Sequence, residues 1–137
     1  MSIPRFPACR APSLRLLLAL PVLLAACGDA TTTPTGGSLA VEATIEPDPP
    51  KVGQNVLRVT VKNAAAEPVP GANVKVDPQM PAHGHGSTET PTVTEEGSGR
   101  YLASPVTFQM PGRWEVRVVV TAGAGQTGST VLSRDVK

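Results

Sequence analysis

Trp114-Glu115-Val116-Arg117-Val118-Val119-Val120 is the stretch that decides the fold of this chain. Successive side chains of a strand point to opposite faces, so Trp114, Val116, Val118 and Val120 share one side. Glu115 and Arg117 fall on the other, which predicts a strand with one buried face. The preceding Met110-Pro111-Gly112-Arg113 suits a type II turn, with proline presetting one φ and glycine accepting the positive one. The same alternation recurs upstream. Leu39, Val41, Ala43 and Ile45 share a face of a first strand. Leu57, Val59 and Val61 do so in a second, with Arg58, Thr60 and Lys62 opposite. Pro68-Val69-Pro70-Gly71 turns the chain, and Ala72, Val74 and Val76 begin a third. Asp77 to Pro91 reads as a long loop. Thr92–Glu95 and Arg100–Ala103 flank Glu96-Gly97-Ser98-Gly99, a hairpin signal, and Val106 and Phe108 continue the second arm. Gly123-Ala124-Gly125 turns again, and Thr130–Val136 closes the chain.

Composition agrees. The 100 residues from Ser38 to Lys137 contain sixteen Val and only four Leu. β-Branched side chains suit a pleated surface and lose rotamer freedom in a helix. Every window of helical period is interrupted by Pro or Gly, of which the chain has 15 and 13. Seven to eight short strands with turn signals between them predict an all-β, immunoglobulin-like β-sandwich over residues 38–137. Trp114 is its expected core anchor, with Phe108 the one phenylalanine beside it. Tyr101, just past a glycine turn, is a candidate corner tyrosine whose hydroxyl bonds backbone.

The N-terminus reads as an address. Residues 1–26 carry Arg5, Arg10 and Arg15, no acid, and an uncharged run from Leu16 to Ala26. Eleven apolar residues are too few for a spanning helix, which needs about 20. A charged start, a short apolar run and small residues at its end describe a secretory signal peptide. Leu24-Ala25-Ala26-Cys27 resembles the bacterial lipobox, whose cysteine is acylated and becomes the new N-terminus. Each acyl methylene contributes roughly 0.8 kcal/mol of membrane affinity. The expected organisation is a signal peptide over 1–26, a lipidated Cys27 with a flexible linker to residue 37, and the sandwich from 38 onward. That places the chain in the cell envelope, lipid-anchored outside the cytoplasm, with inner and outer membrane both open. Cys9 leaves with the signal, so the exported domain has no disulfide.

After residue 26 there are nine basic and eleven acidic residues, a net charge of −2. Phosphate binding needs clustered Lys and Arg, so nucleic acid is excluded as a partner. An enzyme is not expected either. Ser87, His85 and Glu89 lie in one loop, but neighbours in a loop rarely take the fixed nucleophile–base–orienter geometry. There is no Gly-x-Ser-x-Gly elbow, and Gly97-Ser98-Gly99 precedes a strand, not the helix a phosphate loop requires.

One cluster carries chemistry. Beyond the signal the chain has two His and two Met, and three of them lie in Met80-Pro81-Ala82-His83-Gly84-His85. The fourth, Met110, also precedes a proline. Imidazole with thioether is a soft, uncharged ligand set that favours Cu(I), and imidazole alone also suits Zn(II) or Cu(II). Met80, His83, His85 and Met110 are therefore candidate metal ligands, with Glu89 a candidate oxygen donor or partner for a histidine. The plain alternative is structural: Met80 and Met110 fill the end of the sandwich, and His83 bonds backbone in a glycine-rich loop.

Met80-Pro81-Ala82-His83-Gly84-His85-Gly86, then Gly99-Arg100-Tyr101, then Phe108-Gln109-Met110-Pro111-Gly112-Arg113-Trp114-Glu115-Val116 resembles the YtkA-like/FixH-like family. The resemblance spans roughly residues 40–122 and rests on these motifs and their spacing. It implies an immunoglobulin-like sandwich tethered outside the cytoplasm, in a family some of whose members are linked to copper delivery or copper efflux. It also implies copper for Met80, His83, His85 and Met110, although Gln79 and Ala82 are non-ligands where many relatives are richer in Met and His. Two functions follow as expectations. One is a membrane-anchored module binding copper through the Met/His loop as carrier or sensor. The other is a metal-free structural or interaction module for a protein of the cell envelope.

Overall fold

The computed structural model describes residues 31–34 and 37–137. The signal peptide expected over 1–26 and the lipidated Cys27 lie outside the described residues. Nine strands follow in order: β1 (Thr31–Pro34), β2 (Ala40–Glu46), β3 (Gly53–Lys62), β4 (Asn73–Met80), β5 (His85–Gly86), β6 (Thr92–Gly97), β7 (Arg100–Phe108), β8 (Gly112–Thr121) and β9 (Thr127–Val136). They form two antiparallel sheets, β2-β3-β7-β6 and β1-β9-β8-β4-β5. Without the two shortest strands, seven remain. The first, second, fifth and fourth make one sheet, and the third, sixth and seventh the other. That is the constant-type immunoglobulin arrangement.

The alternation sets the interior. Val41, Ala43 and Ile45 of β2, Leu57, Val59 and Val61 of β3, and Trp114, Val116, Val118 and Val120 of β8 are all buried. Phe108 and Trp114 are fully buried, with ring centroids 5.1 Å apart. Tyr101 is buried too, and its hydroxyl donates to the Val69 carbonyl at 2.7 Å and accepts from the Ala72 N–H at 2.9 Å. One phenol thereby satisfies two backbone groups of the β3–β4 connection that no strand partner reaches.

The structure departs from the sequence expectation at four places. The third strand does not end at Val76 but runs to Met80 through Pro78, shortening the expected loop. The Pro78 carbonyl accepts from Ser87 N–H at 2.9 Å, on the β5 side. Pro78's missing N–H therefore faces that nearly open edge and not β8, which is how a strand tolerates proline. The shortened loop carries the two-residue strand β5, with Met80 opposite His85. At the other end of the sheet, Thr31–Pro34 pairs with Thr130–Ser133 inside the stretch expected as a tether. Finally, the Met110–Arg113 segment bends without closing a type II turn. Gly112 takes φ +133°, but the Met110 carbonyl accepts from the Trp114 indole N–H at 3.0 Å.

Asn55 is a buried polar residue the alternation does not single out. Its side-chain amide donates to the carbonyls of Lys51 (2.8 Å) and Gly53 (2.9 Å), and its Oδ1 accepts from Lys51 N–H (3.0 Å). It pins the chain entering β3 where the β3–β7 register shifts.

Trp114→Ala is expected to lower stability by about 3–5 kcal/mol, since a fully buried ring leaves a cavity that only partly collapses. Chemical denaturation followed by far-UV circular dichroism reads this; an unshifted midpoint would remove Trp114 from the core.

Candidate metal centre

The candidate ligands gather at one end of the sandwich, where the β4–β5 turn meets the β7–β8 bend. The turn is made by main-chain bonds. The N–H groups of His83 and Gly84 both donate to the Met80 carbonyl, at 3.1 and 3.0 Å. Gly84 takes φ +68°, a region that costs a glycine nothing and most other residues strain. This tight reversal brings His83 and His85 together, with ring centroids 5.8 Å apart.

His85 is the better defined of the two. It is half-buried, and its ring meets Trp114 edge-on, centroids 5.9 Å apart. Its Nδ1 lies 3.2 Å from the Gly86 carbonyl. A carbonyl only accepts, so this bond places the proton on Nδ1 and leaves the Nε2 lone pair for a ligand. His83 stands exposed at the tip. Because a metal lies about 2 Å from each ligating nitrogen, rings at this spacing can share one ion.

The two methionines are placed differently. Met80 is 3% exposed and belongs to the core, with its Cε packed close above Gly112. Met110 is half-buried against the same core. Exposure thus ranks the four candidates: His83 stands in solvent, His85 and Met110 are half-buried, and Met80 is enclosed in the core. Glu89 is not with the histidines: its carboxylate accepts a short hydrogen bond from the Thr107 hydroxyl. Among the described residues, no group of three or more His, Cys, Asp or Glu side chains is placed to hold a metal ion. The donor set that fits an ion is therefore two neutral imidazoles, which suit Cu(II), Zn(II) or Cu(I).

Gln109 also contributes to this end, although it is no metal-ligand type. Its amide donates to the hydroxyls of Thr88 (3.0 Å) and Ser87 (3.3 Å), tying the segment after β5 to the β7–β8 bend. Its Oε1 is buried with no hydrogen-bond partner among the described residues. Its place beside Met110-Pro111-Gly112 was the available signal. A surface groove beside β4 is lined by Val76, Pro78, Ser87 and Glu89 but by neither histidine.

The YtkA-like family model matches residues 36–119, and the chain belongs to that family. Among solved structures, a copper-bound variant of FetP from uropathogenic Escherichia coli strain F11 is similar in fold. Its TM-score is 0.50 at 9% identity, over 77% of this chain and 90% of that one. No curated protein matches the sequence.

Replacing Met80 separates its packing role from a ligand role. Met80→Ala is expected to cost about 2–5 kcal/mol, and Met80→Leu, which keeps the volume, under about 1.5 kcal/mol. Thermal melts measure both. A Met80→Ala variant as stable as the parent would show that the thioether is not part of the core.

Proposed function

We propose that this chain is a lipid-anchored, extracytoplasmic metal-binding module that takes copper at the His83–His85 tip of its YtkA-like sandwich, as carrier or sensor and not as an enzyme. The observation that carries this reading is the convergence of the two imidazoles on a turn built for it, with His85 Nε2 left free by the Nδ1–Gly86 bond. The copper-bound state of the FetP variant, whose fold this chain shares, supports the same reading. When bound, copper would supply a redox-active or transferable cation. The chain's own residues do the rest: His83 and His85 offer nitrogen, Gly84 allows the turn, and Trp114 backs the His85 ring. A pair of neutral donors with one member in solvent suits an ion that must be handed on more than one held permanently.

A metal-free reading draws on one observation, the use of both methionines as packing. In it the tip is a surface for an envelope protein and the histidines serve the loop alone.

Titration separates the two. Trp114 is the single tryptophan of the chain, and His85 lies against it. Cu(II) is expected to quench its fluorescence saturably, and Cu(I) to be withheld from a competing chelator under anaerobic conditions. The His83→Ala/His85→Ala variant is expected to lose both effects. Equal behaviour of parent and variant would leave the metal-free reading.

Anchoring has its own test. Cys27→Ser is expected to move the protein from the membrane to the soluble fraction on cell fractionation, because acyl chains supply the affinity. A variant that still sediments with membranes would rule out the lipid anchor.

A further inference from the structure

The imidazole pair is half of a coordination sphere, and three observations bear on what fills the other half. First, Met80 is in the core and the Glu89 carboxylate is held by Thr107, so neither is a ready third ligand. Structural zinc is almost always four-coordinate, and Cu(II) with nitrogen ligands is commonly tetragonal, so two imidazoles leave positions open. Second, the pair is carried on an end of the domain with His83, Pro81, Ala82 and Pro111 all exposed. Third, the two segments that carry the tip are free of charge, and the charged residues of this end, Asp48, Lys51 and Lys137, lie on the neighbouring β2–β3 connection and the C-terminus. Residues 78–88 and 109–112 contain no Asp, Glu, Lys or Arg, although 17% of the chain is charged. Two such tips can approach through uncharged segments, with partly apolar rims to bury.

From these we infer that a divalent ion joins two copies of the chain end to end, with His83 and His85 of each completing a four-imidazole site about a twofold axis. Such a contact is isologous: the same patch meets itself, and each copy supplies what the other lacks. The inference rests on the copper reading above and adds to it a ligand count and a partner, a second copy of this chain. In this arrangement the ion is the main link between the copies, so removing it separates them. The Nδ1–Gly86 bond of His85 has the role of a ring-orienting contact behind the metal.

The test uses the full chain in detergent, supplied with half an equivalent of Cu(II). Native mass spectrometry counts chains and copper ions in each particle, and electron paramagnetic resonance counts the nitrogens on copper. The apo chain is expected to be monomeric. The loaded chain is expected at two chains per copper with four coordinated nitrogens, and a chelator is expected to return it to monomer. His83→Ala is expected to lose the dimer, and His83→Gln, run beside it, to do the same with an unchanged thermal melt. One copper on a single chain with two protein nitrogens would overturn the bridged pair while leaving copper binding intact. Dimers present equally without copper would also overturn it. No copper on any particle would remove both this inference and the copper reading.

Discussion

The indole of Trp114 is the contact on which the candidate site depends. Its face and edges serve three neighbours at once. Phe108 packs on it in the core, its N–H holds the Met110 carbonyl, and His85 stands edge-on against it. The N–H bond fixes the β7–β8 bend from inside: the Met110 carbonyl is turned in to the indole. Burial makes the bond firm, since an indole N–H left without a partner inside the sandwich costs about 1–3 kcal/mol. The same ring that anchors the core therefore sets the position of the loop end, and stability and site geometry are not independent properties of this domain.

Much of the fold was legible because it rests on period two. Where one face is buried, a slip of one residue turns every apolar side chain outward, so the pattern in β2, β3 and β8 admits one register. Tyr101 was legible for a related reason, being a buried phenol beside a turn with unpaired backbone groups. The extension of β4 was not, because Pro78 normally ends a strand and only the pairing on each side shows that its bare nitrogen faces the open edge. β1 was hidden because Thr31–Thr33 has no apolar alternation and depends on the free edge of β9. Asn55 carries no periodic signal at all, since its role is set by carbonyls that converge only after folding.

The site was legible as a cluster but not as a coordination set. Sequence spacing placed Met80, His83, His85 and Met110 together, and the fold does bring them to one end. What spacing does not encode is depth. Met80 closes an inward-facing strand position, as the alternation Val74, Val76, Pro78, Met80 dictates, while His83 lies on the turn beyond it. A thioether at an inward position is worth more to packing than to a surface ion. The division between the core thioether of Met80 and the imidazoles of the turn thus follows from the strand continuing through Pro78, the same feature that the sequence concealed.

Imidazole nitrogen, not thioether sulfur, is the donor proposed at this tip. X-ray absorption spectroscopy at the copper edge of the loaded protein addresses that directly, because sulfur and nitrogen scatter at different distances and with different strength. The expected result is a first shell of nitrogen or oxygen only, with the outer-shell pattern of imidazole rings. A sulfur shell would contradict it, placing Met80 or Met110 on the metal and requiring the end of the sandwich to open on binding.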